Sequence, residues 1–201
     1  MHKLAVILTA LITLTGCGGM NVDDFKNSDP KLTLEDYFEG RSKAWGIFED
    51  RFGNIRRQFT VDIEGTWDED AQVLTMIEDF DYSDGETERR VWTLTKTGDN
   101  SYEGTADGVV GKATGELAGN AFNWHYTFDL PIGDGTWRVN FDDWMFLQPD
   151  GVIVNRAAVS KWGIEIGRAL IMFKKLDRED TAQLEGIQET DQATRQQIAA
   201  E

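Results

Sequence analysis

An all-β chain closed into a single antiparallel up-and-down barrel of about eight to ten strands is predicted by three observations. From Ile55 to Trp67, two faces alternate: Ile55, Arg57, Phe59, Val61, Ile63, Gly65 and Trp67 on one, Arg56, Gln58, Thr60, Asp62, Glu64 and Thr66 on the other. That period of two belongs to a strand with one buried face. Tight-turn signals such as Asp84-Gly85, Gly119-Asn120 and Pro149-Asp150-Gly151 recur roughly every ten residues. No stretch before Asp177 has a convincing helical period. Successive hairpin-length turns favour a meander, and a closed meander has no exposed edge.

The elements follow in order. Thr33 to Phe38 reads as a short helical turn, with Thr33 and Asp36 in box-like capping positions. Strands are expected over 39–49, 55–67, 73–82, 88–96, 102–107, 110–117 and 121–130. In 121–130, Phe122, Trp124, Tyr126 and Phe128 share one face, and Asn123, His125 and Thr127 the other. Thr136 to Gly163 reads as two long strands joined at Gln148-Pro149-Asp150-Gly151. A last strand over 164–176 is apolar on both faces. The expected architecture is a lipocalin-like barrel over 33–176.

The N-terminus is an export signal. His2 and Lys3 precede a mostly apolar run, Leu4 to Thr13, too short to span a bilayer. Leu14-Thr15-Gly16-Cys17 follows and is similar to a bacterial lipobox. The expectation is a lipoprotein signal peptide over 1–16 and acylation of Cys17, the chain's one cysteine, anchoring the protein to a membrane. Gly18, in place of an aspartate, points to the outer membrane, facing the periplasm. Residues 17–32 then read as a tether, and 177–201, rich in Gln, Glu, Thr and Ala, as a disordered or loosely helical polar tail.

Composition narrows the function. The chain carries 20 basic and 36 acidic residues, a net charge of −16, which repels phosphate backbones and anionic lipid and argues against nucleic-acid binding. Only two histidines are present, one of them in the signal, so no zinc site and no other metal or cofactor is expected. A Gly-x-Ser-x-Gly elbow is missing, and Cys17 is spoken for, so no nucleophile presents itself and no catalytic residues are assigned.

Three constellations stand out. Asp142, Asp143 and Trp144 lie opposite Arg156 across the Gln148–Gly151 turn. With Trp144 facing Arg156, Asp142 lies diagonally from the arginine; shifted by one, Asp143 faces it directly. Arg156 would grip a ligand carboxylate or phosphate inside a pocket, or form a structural ion pair in the wall. Glu78 (with Leu74, Met76 and Phe80) and Arg90 (with Trp92 and Leu94) lie on apolar strand faces joined by one turn. They form either a charged cluster in the lumen or a rim salt bridge. The third is a glycine ladder: Gly104, Gly108, Gly111, Gly115 and Gly119, which leaves room for a ligand or lets the sheet coil sharply. His125 reads as an exposed bystander.

The ordered pieces Trp45-Gly46, Asp50-Arg51-Phe52-Gly53, Gly65-Thr66-Trp67, Val110-Gly111-x-Ala113-x-Gly115, Phe141-Asp142-Asp143-Trp144-Met145, Asn155-Arg156-Ala157 and Ser160-Lys161-Trp162-Gly163 carry a resemblance. The chain resembles the bacterial lipoproteins of unknown function called domain of unknown function 3833, over residues 35–176. The resemblance implies a lipocalin-like barrel and no established activity. Three function classes remain open: a barrel that binds a lipid or small amphiphile; a filled, non-catalytic barrel that displays a surface to an envelope protein partner; and an enzyme using Asp142, Asp143, Glu78 or His125 as acid or base.

Overall fold

The structure is a computed structural model that describes residues 19–177 and 180; residues 1–16, read as a signal peptide, Cys17 and nearly all of the 177–201 tail lie outside the described residues. Ten strands run β1 (Gly40–Asp50), β2 (Ile55–Asp68), β3 (Val73–Tyr82), β4 (Thr87–Gly98), β5 (Ser101–Thr105), β6 (Ala113–Ala118), β7 (Ala121–Ile132), β8 (Gly135–Leu147), β9 (Val152–Lys161) and β10 (Ile164–Lys175). Each pairs antiparallel with its neighbours in sequence, and β1 closes on β10. The up-and-down barrel expected from the alternation is therefore observed, at the upper end of the expected strand count.

One boundary moved. The strand expected from Val110 begins at Ala113, because Gly108 and Gly111 have φ of +86° and +76°, which an extended chain does not adopt. Val109 instead bridges to Phe128.

The alternation sorts the side chains as read. Val61 and Ile63 of β2, Leu74 and Met76 of β3, Trp92 and Leu94 of β4, Phe122 and Trp124 of β7 and Ile153 of β9 point inward and are buried. The outer wall carries Lys43–Asp62, Arg89–Asp79, Lys112–Glu103 and Arg138–Asp129 ion pairs, each of small energetic weight but suited to water. Across β1, β10 and β9, Trp45, Met172 and Val154 are direct cross-strand neighbours and remain exposed, beside a surface recess of about 660 Å³.

The short helix α1 (Leu34–Phe38) seals one end. Leu32, Leu34, Tyr37 and Phe38 enter the barrel core. Phe38 meets Phe173 edge-on, with ring centroids 5.7 Å apart. Gly65 has no side chain because the Phe38 carbonyl occupies its place, 1.9 Å from where a Cβ would stand. Lys96 and the Tyr102 hydroxyl both reach Glu35, at 2.5 and 2.7 Å, which draws its carboxyl below the usual range against the effect of burial. The Tyr37 hydroxyl donates to the Phe173 carbonyl (2.9 Å) and lies 3.1 Å from that of Gly151. Tyr37→Phe is expected to cost about 1–2 kcal/mol, because these carbonyls lose a buried donor. A lower urea midpoint at unchanged slope checks it.

The segment read as a tether is fastened to the wall. Residues 22–25 form a 3-10 turn whose N-terminus is capped by Asn21, with Asp24 returning the bond to the Asn21 amide. Val22 and Phe25 pack on the outer side chains Ala118, Trp144 and Phe146. Gly119, at φ +60°, receives the Phe25 carbonyl 1.8 Å from its Cβ position, and its own carbonyl accepts the Leu32 amide at 2.8 Å.

Candidate functional site

The end opposite α1 is open, and a cavity of about 350 Å³ runs down from it. Its wall is mostly aromatic and aliphatic: Phe59, Phe80, Trp92, Trp124, Phe128, Phe141, Met145 and Val159 among others. One band of it is polar: Glu78, Arg90, Tyr126, Asp143 and Asn155.

Strand register builds the band. Glu78 on β3 stands directly opposite Arg90 on β4, closer than the diagonal expected from the turn. Asp143 on β8 lies between Trp124 of β7 and Ala157 of β9. Asn155 enters from β9 and donates through Nδ2 to Asp143 Oδ1 and, at 3.1 Å, to the Trp144 carbonyl. Tyr126 stacks on Phe141 with centroids 4.7 Å apart.

The arginines of the mouth are already engaged. Arg90 donates to Glu88 Oε1 at 2.5 Å, and its guanidinium lies 5.0 Å from the Phe80 ring and 5.1 Å from that of Phe128. Arg57 lies 3.5 Å over the Tyr82 ring and pairs with Asp84 and Glu86. Tyr82 donates to Glu88 Oε2 at 2.9 Å.

The carboxyls deeper in are left over. Glu78 makes no hydrogen bond and no ion pair among the described residues, and Asp143 meets only the neutral Asn155 amide. Burial pushes Glu78 up to about 7, opposed by Arg90 and reinforced by Glu88 and Asp143. It pushes Asp143 up to about 7 as well; the Asn155 bond pulls against that, and Asp142 adds to it. The Asn155 Oδ1 and Arg90 Nε atoms are buried without a partner.

The first constellation read from the sequence is split by the barrel wall. Its register is the first of the two considered, with Trp144 opposite Arg156. That puts Asp142 and Arg156 together on the outer face, and Asp143 alone inside, since successive strand residues face opposite ways. The reading of Arg156 as a grip inside a pocket is therefore corrected: Arg156 is exposed. Asp142 accepts from Asn123 at 2.8 Å and lies 3.6 Å from His125, both on the outer face. Trp144 is buried, but beneath the N-terminal segment, not in the lumen.

The glycine ladder also resolves. Gly104 and Gly115 are seats for rings: a Cβ would stand 2.8 Å from Trp124 at Gly104, and 2.3 Å from Trp124 and 2.5 Å from Phe122 at Gly115. Those faces are occupied, so they add no room for a ligand. Gly115→Ala is expected to displace both rings at a cost of about 1–3 kcal/mol, read by chemical denaturation.

Two lumen residues escaped the sequence reading, Asn155 and Tyr126. The signal was present: Asn155 is the lone amide on the apolar face Ile153, Ala157, Val159, and Tyr126 carries the one hydroxyl on the aromatic face of β7. Among the described residues, no group of three or more His, Cys, Asp or Glu side chains is placed to hold a metal ion.

Comparison with known proteins places the chain in a family. The model of a protein family of unknown function, DUF3833, matches residues 11–175. The chain belongs to the DUF3833 family. That match spans the whole barrel and part of the N-terminal segment, as the ordered motifs implied. No curated protein matches this DUF3833 chain. Among solved structures, it is similar to the S-type phycobiliprotein lyase CPES from Guillardia theta, with a TM-score of 0.50 and 9% identity. The similarity covers 71% of this chain and 90% of that one. At that identity it establishes the fold, a lipocalin-like barrel, and nothing finer.

Proposed function

We propose that this DUF3833 protein is an envelope lipoprotein whose barrel holds one small amphiphile. The observation that carries the reading is the lumen. It is open at one end, apolar along its length, and banded at mid-height by polar groups that the protein leaves without partners. Such a pocket, apolar with a few convergent polar atoms, is the usual form of a small-molecule site. The mouth adds support. Turn residues Phe52 and Trp162 and the first residue of β10, Ile164, are exposed there, and Lys161 lies 4.1 Å from the Trp137 ring and 4.8 Å from that of Trp162. Aromatic tips with cations beside them suit a lipid–water interface.

In this reading the signal 1–16 is removed, Cys17 is acylated with palmitate-type chains, and the protein sits on the outer membrane facing the periplasm. A short stretch, Gly18 to Met20, separates the anchor from the capped turn at Asn21, so the barrel stays close to its membrane. A Cys17→Ser variant should leave the membrane fraction, and the native N-terminal peptide should carry the mass of a diacylglyceryl group.

Native mass spectrometry of the protein purified gently from bacteria tests the lumen. A reproducible added mass that extracts into organic solvent is expected. A bare mass that stays unchanged after incubation with a panel of amphiphiles would overturn the reading and leave a scaffold for an envelope partner.

A second reading is an acid–base enzyme, favoured by two enclosed carboxyls held near neutrality beside an open cavity. The similar solved structure is named as a phycobiliprotein lyase. The first reading stands ahead because no nucleophile, metal cluster or oriented base accompanies those carboxyls among the described residues. Conversion of the extracted ligand by the native protein, lost in Glu78→Gln, would reverse the order.

A further inference from the structure

We infer that the head group received in the lumen is a protonated amine, so that the ligand is a cationic, single-chain amphiphile. The inference rests on the reading of the lumen as an amphiphile site and adds the chemistry of the head.

The balance of charge comes first. Two carboxyl groups, Glu78 and Asp143, line the cavity with two guanidiniums, Arg57 and Arg90, and three more, Asp84, Glu86 and Glu88, pair with those guanidiniums. Arg57 holds Asp84 and Glu86, and Arg90 holds Glu88. Glu78 and Asp143 therefore have no cation in contact among the described residues, although Arg90 faces Glu78 across the ladder. Once ionised, the two enclosed carboxyls would repel an anionic head, with both arginines already bound, in a low-dielectric space. This reverses the expectation of an arginine gripping a carboxylate or phosphate.

The balance of hydrogen bonds points the same way. The acceptors left open are the two oxygens of Glu78, Asp143 Oδ2 and the buried Asn155 Oδ1. On the other side stand the Tyr126 hydroxyl and two donors, Arg57 Nε and Arg90 Nε, that are buried without a hydrogen-bond partner among the described residues, although Arg57 Nε lies 2.8 Å from Asp84 Oδ2. An ammonium offers three donors and no acceptor, where an alcohol offers one donor and a carboxylate none. Leaving a buried acceptor such as Asn155 Oδ1 unsatisfied is unfavourable, so a head group that fills several of these acceptors at once is selected. The walls suit a cation as well: Trp92 meets Trp124 at 5.8 Å and Tyr126 at 5.4 Å, and Trp faces attract cations. A volume of about 350 Å³ lies at the small end of ligand pockets and suits one alkyl chain.

The test is a matched series, dodecylamine, dodecanol and dodecanoate, each below its micelle concentration, titrated into the protein at neutral pH and moderate salt. Calorimetry reads binding, and the change in total tryptophan emission, to which Trp92 and Trp124 of the lumen contribute, reports its occupancy. Dodecylamine is expected to bind at least tenfold more tightly than dodecanoate, with dodecanol between. Glu78→Gln and Asp143→Asn should each weaken the amine at least fivefold and leave dodecanol nearly unchanged. Calorimetry in buffers of different ionisation heat should find protons released as the amine binds, because Glu78 and Asp143 must ionise to receive it. A cation that merely sticks to an acidic surface would be lost at high salt, and would ignore both substitutions. Dodecanoate equal to or tighter than the amine, or amine binding insensitive to both substitutions, would overturn the inference while leaving the lumen as a site. Failure of all three ligands would overturn both it and the reading beneath it.

Discussion

Trp144→Ala is expected to loosen residues 21–32 from the barrel and to lower stability by about 3–5 kcal/mol, the range for emptying a large aromatic site. The outer face of a barrel strand is normally wet, and Trp144 lies on one, yet it is only 3% exposed. Its cover is the N-terminal segment: Phe25 lies 6.0 Å from it by ring centroids, Phe146 stacks on it at 5.9 Å, and Val22 and Ala118 complete the cluster. Truncation leaves Phe25 and Val22 facing a hole that water can enter, and the Asn21 cap alone cannot hold a single turn. Limited trypsin digestion separates the two effects. Lys26 and Lys31 lie in the fastened segment and should become the first cleavage points in the variant. Gly119→Ala should open the same two sites by a different route, since its Cβ collides with the Phe25 carbonyl. A loss of stability with no new cleavage at Lys26 or Lys31 would mean that the strands alone hold Trp144, and the account of the fastened segment would fail.

The fold was legible because it repeats one rule ten times. Alternation on β2, β3, β4 and β7 grouped the residues of each face correctly without saying which face looks inward, and those faces fix register, since a slip of one residue would turn a strand inside out. The site was legible only where that rule applied. Glu78 and Arg90 interrupt apolar faces, which left a lumen cluster and a rim salt bridge both open; the register places them in the lumen. Asp142-Asp143-Trp144 offered no such guide, because β8 carries large apolar residues on both faces. Phe141, Asp143 and Met145 face the lumen, and Trp144 and Phe146 face Phe25. What hid the answer was a partner far away in sequence: a two-faced strand needs a second cover, and the cover was Val22 and Phe25, in a stretch polar enough to read as linker. The glycines misled for a related reason. An empty strand position states that something approaches closely without saying whether it is a ligand or a ring from the same barrel.

Stability should fall as pH rises from about 5 to 8, and Glu78→Gln should remove much of that slope. The sign follows from the direction of the shifts. Glu78 ionises at its ordinary 4.5 in the unfolded chain and at about 7 in the barrel. Between those values the unfolded state has lost a proton that the native state still binds, so each rise in pH favours unfolding. Above 7 the penalty is complete, on the order of 3 kcal/mol for Glu78 at most, and water sharing the lumen reduces it. Asp143 acts in the same sense between 3.8 and about 7. Of the groups facing the pair, Arg90 opposes the shift of Glu78, Glu88 and Asp143 enhance it, and Asp142 adds to that of Asp143. Carboxyls held low elsewhere work the other way. Glu35 beside Lys96 and Asp50 beside Asn54 and Arg56 contribute stability that is lost as acid protonates them. The two trends place the maximum near about pH 5, acidic for a folded protein, whose optimum usually lies between ~5 and 8. Thermal melts of the native chain and Glu78→Gln from pH 4 to 8.5 check this. The variant should match the native protein near pH 5 and exceed it at pH 8, whereas parallel curves would mean that Glu78 is ionised and solvated throughout. Dodecylamine supplies the decisive extension. If an ammonium is the missing partner of these carboxyls, adding it at pH 8 should raise the melting temperature of the native protein well above any gain in Glu78→Gln, because only there does a cation relieve an enclosed, unpaired charge.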